Sequence, residues 1–375
     1  PGRVEDGNTV SDHDPAEKAR GSSISLSVMP FEWKGHKVNL IDTPGEPDFA
    51  GEVHAALRAA DLALFVVSAV DGVEVGTEAA WRLAAELDLP RMVFVNKLDR
   101  ERADFARTLE DLRDRFGSGI APLELPVGAE ADFVGVADLL SDTAWIYGDG
   151  ISTHTDVPDH MEAEEHRVHD NLVEGIVVAD DDLMARYLDG DVPSVEELER
   201  TMAIGVDDAT VFPVVCGSAL KEVAVDRLAD FICEIGPSPL DRPPVTVTAG
   251  DTTVDIAPDA DGPPLAFVFK TVTDQFVGHL SMFRVLSGSI RADWDSPTDS
   301  SATVSSAGAS PRRRATEADS PKTAMASTGP CDGFADVVIG ADCTEGGPAS
   351  GYRDAPKGTG RLVLPPRAAN VEGDG

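Results

Sequence analysis

Basic side chains are scarce in this chain: 31 Lys and Arg stand against 67 Asp and Glu over 375 residues, a formal charge of −36. A field of that sign repels a phosphate backbone, which excludes nucleic-acid binding through bulk electrostatics; an RNA contact would need local basic patches or a protein intermediary. The one basic run, at 312–314, lies in a polar tail and reads as a solvated stretch. Cysteine is also scarce. Cys216, Cys233, Cys331 and Cys343 form no CxxC pair and no His-spaced cluster, which argues against a zinc site or a disulfide framework and for a reducing compartment. The eight histidines, among them His36, His54, His166 and His169, show no metal-ligand spacing and are expected in solvated or core roles. Long apolar runs are missing too: the longest, 62–70, is too short to span a bilayer. No membrane partner is expected, and a cytoplasmic location is. Ser218 has no His/Asp relay, which argues against nucleophilic catalysis.

What the chain does have is a series of short apolar β runs. Its length leaves room for two or three domains, each able to bury its own core. Segments 38–42, 62–68 and 91–96 are apolar on both faces, as buried parallel strands are. Helical patterns at 49–60 and 77–86 separate them, and another follows at 103–116. Strand alternating with helix predicts an α/β fold over residues 1–118, with a parallel sheet covered on both sides and ligands at the carboxyl ends of its strands. Residues 119–205 read as an inserted, smaller α/β unit with helices at 159–180 and near 195–202. The sheet resumes over 206–236, with a strand at 211–216 and a helix at 223–235 that Gly236 and Pro237 stop. The Pro- and Asp-rich stretch 237–263 reads as a linker. Strands at 265–272 and 280–286 then begin a β-barrel over 264–295. Residues 296–375 hold only nine Leu, Ile, Val and Phe, too few for a core, and are expected to be disordered or aberrantly joined.

Three motifs sit at these strand ends, in fixed order. In the first, Asp42, Thr43, Pro44 and Gly45, a strand-end carboxylate can hold the water shell of Mg²⁺ and a bare glycine N–H can approach a γ-phosphate. In the second, Asn96, Lys97, Leu98 and Asp99, the last carboxylate can accept both N–H groups of a guanine edge, a pair that adenine lacks, while Lys97 lies along the base or ribose. The third runs from Cys216 through Gly217, Ser218, Ala219 and Leu220 to Lys221; the Ala219 N–H would donate to guanine O6, and Ser218 would brace the loop. Taken singly, the first would pass for a turn and the second for a charged helix start. At strand ends in this order, they point to guanine nucleotide.

These residues resemble the last three guanine-nucleotide motifs of the translational GTPases, and the chain resembles the elongation factor G family and its G-like paralogues in particular. The likeness continues through the switch-like 20–24, the insertion opening 126–130, the 183–188 segment, and 267–278 with 283–288, covering about residues 2–293. It implies a P-loop-NTPase-like G domain with an inserted α/β subdomain and a following β-barrel, GTP or GDP with Mg²⁺ as ligands, the ribosome as partner, a monomeric state, and GTP hydrolysis coupled to translation. It also implies GTP contacts from Asp42, Thr43, Pro44, Gly45, Asn96, Lys97, Asp99, Ser218, Ala219 and Leu220, and a magnesium pair of Asp42 and Ser23, the serine standing where the family has its switch threonine.

Two departures bear on activity. Glu46 stands where the family's histidine orients the attacking water. A carboxylate beside a γ-phosphate repels the charge that must be stabilised, so slow hydrolysis is expected, unless Glu46 serves as an adapted base. No GxxxxGK[ST] occurs in the sequence. The first strand and its phosphate-gripping loop are therefore expected to be missing, weakening GTP binding and exposing strand edges. Ribosomal protection proteins and class II release factors share much of this text. A different class of reading is a non-catalytic remnant that binds a partner.

Overall fold

The structure, a computed structural model, describes residues 6–12, 14–148, 151–249, 251–274, 278–290 and the strand segments 301–304, 323–325, 334–341 and 361–363. Cys331, Cys343, the basic run 312–314, residues 275–277 and the rest of the tail lie outside the described residues. The chain divides into two compact units, one formed by residues 1–237 with 335–353, the other by 238–334 with 354–375.

The first unit opens with α1 (Pro15–Arg20). Asp14 caps it, its carboxylate accepting the Ala16 N–H at 2.7 Å, and Gly21 ends it in the left-handed region at φ 74°. β1 (Ser27–Trp33) and β2 (His36–Thr43) form an antiparallel hairpin. Its two turn residues, Lys34 and Gly35, both have positive φ (44° and 80°), as a tight hairpin twist requires. After a 3₁₀ turn at Pro47–Phe49, strands and helices alternate: α2 (Ala50–Leu57), β3 (Leu62–Ser68), α3 (Val75–Glu86), β4 (Arg91–Asn96), α4 (Phe105–Phe116), then β5 (Ile120–Pro122). In α4, Phe105, Leu109 and Leu112 fall on one stripe and are buried. Trp81 of α3 stacks on Phe116 of α4 with ring centroids 4.1 Å apart, tying the two helices together.

The inserted part is an antiparallel meander of β6 (Glu124–Val127), β7 (Gly135–Asp138), β8 (Thr143–Gly148) and β9 (Ile151–Thr155), followed by α5 (Glu162–Val177), α6 (Asp181–Leu188) and α7 (Val195–Asp207). β10 (Phe212–Cys216) and α8 (Val225–Ile235) return to the main sheet. The remaining strands are β11 (Val245–Ala249), β12 (Thr252–Ile256), β13 (Leu265–Asp274), β14 (Gly278–Ser287), β15 (Ser301–Val304), β16 (Thr323–Met325), β17 (Phe334–Ala341) and β18 (Arg361–Val363).

The main sheet has the order β1-β2-β17-β3-β4-β10-β5. β17, β3, β4, β10 and β5 run parallel. Leu62, Val67, Met92, Val93, Val95, Val214 and Val215 are fully buried in it, each such side chain contributing roughly 1.5–3 kcal/mol. The second unit holds the sheet β12-β11-β15-β18-β13-β14-β16, built mainly on the long hairpin of β13 with β14.

Three expectations differ from what is found. Segment 38–42 is not buried on both faces, because β2 forms an antiparallel hairpin with β1 and only Val38 and Ile41 of that segment are buried. The stretch 237–263 is not only linker, since β11 and β12 pair within it across five residue pairs. The tail also contributes to the main sheet: β17 fills the slot between β2 and β3, and the expected gap with exposed edges is closed there. A central parallel strand needs a run of β-branched and apolar residues, and 334–341 (Phe-Ala-Asp-Val-Val-Ile-Gly-Ala) is the tail's one such run.

Candidate functional site

All three motifs lie at the carboxyl edge of the main sheet. Ser68, Asn96 and Cys216 end β3, β4 and β10, with Ser68 paired to Asn96 and Val95 to Cys216. The loop after β2 reaches the same edge. A Cβ on Gly76, at the start of α3, would lie 3.3 Å from the Gly45 carbonyl, so the first motif's loop packs closely against the start of α3. Three strand spacings separate the ends of β2 and β4, about 14 Å.

The second and third motifs form one constellation. Asn96 Oδ1 accepts the Lys97 N–H at 2.8 Å and the Ala219 N–H at 2.9 Å, stitching the two loops together. The Ala219 amide expected to meet guanine O6 is thus engaged by Asn96. Lys97 takes a left-handed conformation (φ 65°) that turns the chain toward Asp99. Ser218 is fully buried, and its hydroxyl donates to Asp99 Oδ1 at 2.6 Å while accepting the Lys221 N–H at 3.1 Å. Its backbone exchanges two 3.0 Å bonds with Val223. This hydroxyl fixes one oxygen of Asp99 from behind. Gly217 has no room for a side chain: a Cβ would meet the Val223 carbonyl at 2.5 Å and the Phe94 ring at 2.9 Å. Ala219 and Leu220 form the exposed tip of this loop.

At the other end of the edge, Asp42 and Thr43 close β2, and Thr43 and Pro44 are buried. Burial pushes the Asp42 carboxyl up to about 6; the nearby charges of Asp12 and Glu17 add to this, against the Ser11 hydroxyl that favours ionisation. Ser23 is close by, though its hydroxyl donates to Asp12 Oδ1 at 2.8 Å rather than standing alone. Asp12 is buried and has no counterpart among the residues expected from sequence. Asp12, bonded to Ser23 and close enough to act on the Asp42 charge, makes this corner of the edge acidic and rich in oxygen, the chemistry a hard cation takes.

Glu46 does not project alone. The Arg20 guanidinium forms an ion pair with its carboxylate, Nε lies 3.3 Å from Oε1, and the Ser22 hydroxyl donates to Oε1 at 3.4 Å. Arg20 also sits 5.4 Å above the Phe49 ring. The Glu46 carboxylate therefore carries its own counter-charge.

Sequence reasoning missed two further acids. Glu17 is buried, and one of its oxygens accepts the N–H groups of Ile24 at 3.0 Å and Ser25 at 3.1 Å, shaping the segment that presents Ser23. A capping-box pattern with Asp14 would have marked Glu17 as a helix-start residue and nothing more. Glu124, on β6, is completely buried and accepts the Cys216 N–H at 2.9 Å, directly beneath the Ser218 loop. Burial pushes it up to about 8, with Arg227 opposing. Arg227 itself is held by Asp138 at 2.6 Å and Asp230 at 2.5 Å, pinning α8 to the inserted meander.

The model of the family described as the elongation factor Tu GTP-binding domain matches residues 2–238. Among solved structures, a crystal structure of a protein from Thermus thermophilus is 38% identical to this chain with a TM-score of 0.70, covering 79% of this chain. The match takes in 42% of the Thermus chain, so the present chain spans less than half of that relative's length.

Proposed function

We infer function from kinship: the chain belongs to the translational GTPases, the family of the elongation factor Tu GTP-binding domain. Within it, we read the chain as the elongation factor G-like type, a cytoplasmic factor whose guanine-nucleotide cycle is coupled to the ribosome. The observation that carries the nucleotide reading is the joined pair of loops at β4 and β10, where Ser218 braces Asp99 and Asn96 ties both loops. Asp99 accepts the two guanine N–H groups, and Lys97 covers the base. Asp42, with Asp12 and Ser23, would hold Mg²⁺, which when bound neutralises phosphate charge. No helix among the described residues is long and apolar enough to cross a membrane.

Hydrolysis by this site is slow on the same reading. The Arg20–Glu46 pair lies where a water would be oriented. The test is a fluorescent GDP analogue titrated into the purified chain, with unlabelled GDP, GTP and ATP as competitors. Binding displaced by GDP and GTP and not by ATP is expected. Equal competition by ATP would overturn the base-reading assignment.

A further inference from the structure

We propose that the inserted meander carries a site for a divalent transition metal of the zinc class, formed by Asp142, Glu165 and His166. Asp142 lies in the turn between β7 and β8, and the other two lie in the first turns of α5. One ligand atom from each falls within 4.8 Å of the others. His166 Nε2 is 3.9 Å from both Asp142 Oδ2 and Glu165 Oε2.

The observation that points to a ligand is Glu165. Its side chain is fully buried and directed into this cluster, where its carboxylate oxygens meet no N–H or O–H donor among the described residues and face only the Asp142 carboxyl group and the His166 ring. A buried carboxylate with no donor is costly, and a bound cation removes that cost. Asp142 and His166 are more than half exposed, so they form the mouth of the site and leave positions open to water. The frame is fixed: His169 Nδ1 lies 2.6 Å from the Leu139 carbonyl, fastening α5 to the same turn.

Donor chemistry selects the metal class. One imidazole with two carboxylates suits zinc, cobalt or manganese, whereas Mg²⁺ keeps to oxygen. Metal–ligand bonds of about 2.1 Å place neighbouring ligand atoms about 3 Å apart, so the mouth residues must close by about an ångström on a fixed Glu165. Residue spacing carries no hint of this site, because its third ligand comes from a different element.

The experiment titrates the chelator-stripped, tag-free full chain with ZnCl₂ against a chromophoric chelator, and with CoCl₂ read by its visible absorption. A single equivalent is expected to bind, unaffected by millimolar MgCl₂. His166→Ala and Asp142→Asn, both at exposed positions that leave the fold intact by circular dichroism, should each weaken it by about tenfold or more. Glu165→Gln should do the same. Absence of a stoichiometric site, or zinc binding that all three variants leave unchanged, overturns the proposal.

Discussion

Replacing Glu124 by glutamine should remove a large part of the stability that the parent loses as pH rises toward 8. Glu124 is fully buried, one oxygen accepts the Cys216 N–H, and the other has no partner. Burial raises its folded value from 4.5 to about 8. An unfolded glutamate ionises above about 4.5, while the folded one keeps its proton up to about 8, so between these values the folded state binds more protons. Stability from this group is therefore complete below 4.5, falls as pH rises through 8, and is level beyond it. At about 1.4 kcal/mol per pH unit the window sets a ceiling of about 5 kcal/mol, lowered by any swelling that admits water to the unpartnered oxygen. Glutamine matches the protonated acid in shape and still accepts from Cys216. Urea midpoints for parent and Glu124→Gln, measured in fixed salt from about pH 5.5 to 8.5, should show the parent weakening more steeply than the variant, in which Asp42, raised to about 6, still titrates. Parallel curves, or a parent that gains stability with pH, would refute the reasoning.

Other expectations follow from single contacts. Ser218→Ala removes a hydroxyl bond to a carboxylate, worth about 1.5–3 kcal/mol, and should weaken GDP binding by about ten- to a hundredfold in competition titrations; unchanged affinity would mean Asp99 needs no brace. Glu17→Gln takes the charge off the oxygen that holds Ile24 and Ser25, so hydrogen exchange at those two amides should accelerate while the main sheet keeps its protection. Glu46→His breaks the pair with Arg20 and supplies an imidazole, and ribosome-stimulated GTP turnover should rise; a lower or equal rate would favour Glu46 as an adapted base.

The sequence made the buried parallel strands visible because Leu62–Ser68, Arg91–Asn96 and Phe212–Cys216 are apolar on both faces, a pattern that few other structures permit. The second and third motifs were legible for a related reason: each follows such a strand, where the topology itself puts ligands. β1 was not, because Ser27–Trp33 alternates between half-buried and exposed positions with no fully buried side. Asp12, Glu17 and Glu124 escaped notice because an acid's role depends on what folds over it; in sequence, Glu124 is merely an acid in a short strand. β17 escaped because the composition around it argues against any core, and only an open slot between β2 and β3 gives that segment a place. Glu46 was visible as a departure from the family, while its Arg20 partner was not, the two lying on different loops.

The pairing of β17 with β3 joins Val337 to Leu62 and so closes a loop of about 275 residues. Chain-closure entropy for that length comes to about 5 kcal/mol, which neighbouring elements such as the β1–β2 hairpin never face. Amides at the middle of a parallel sheet are ordinarily the slowest to exchange; here the middle is the part held by the longest tether, so hydrogen exchange along β17 is expected to outpace that along β4, and equal protection would count against it.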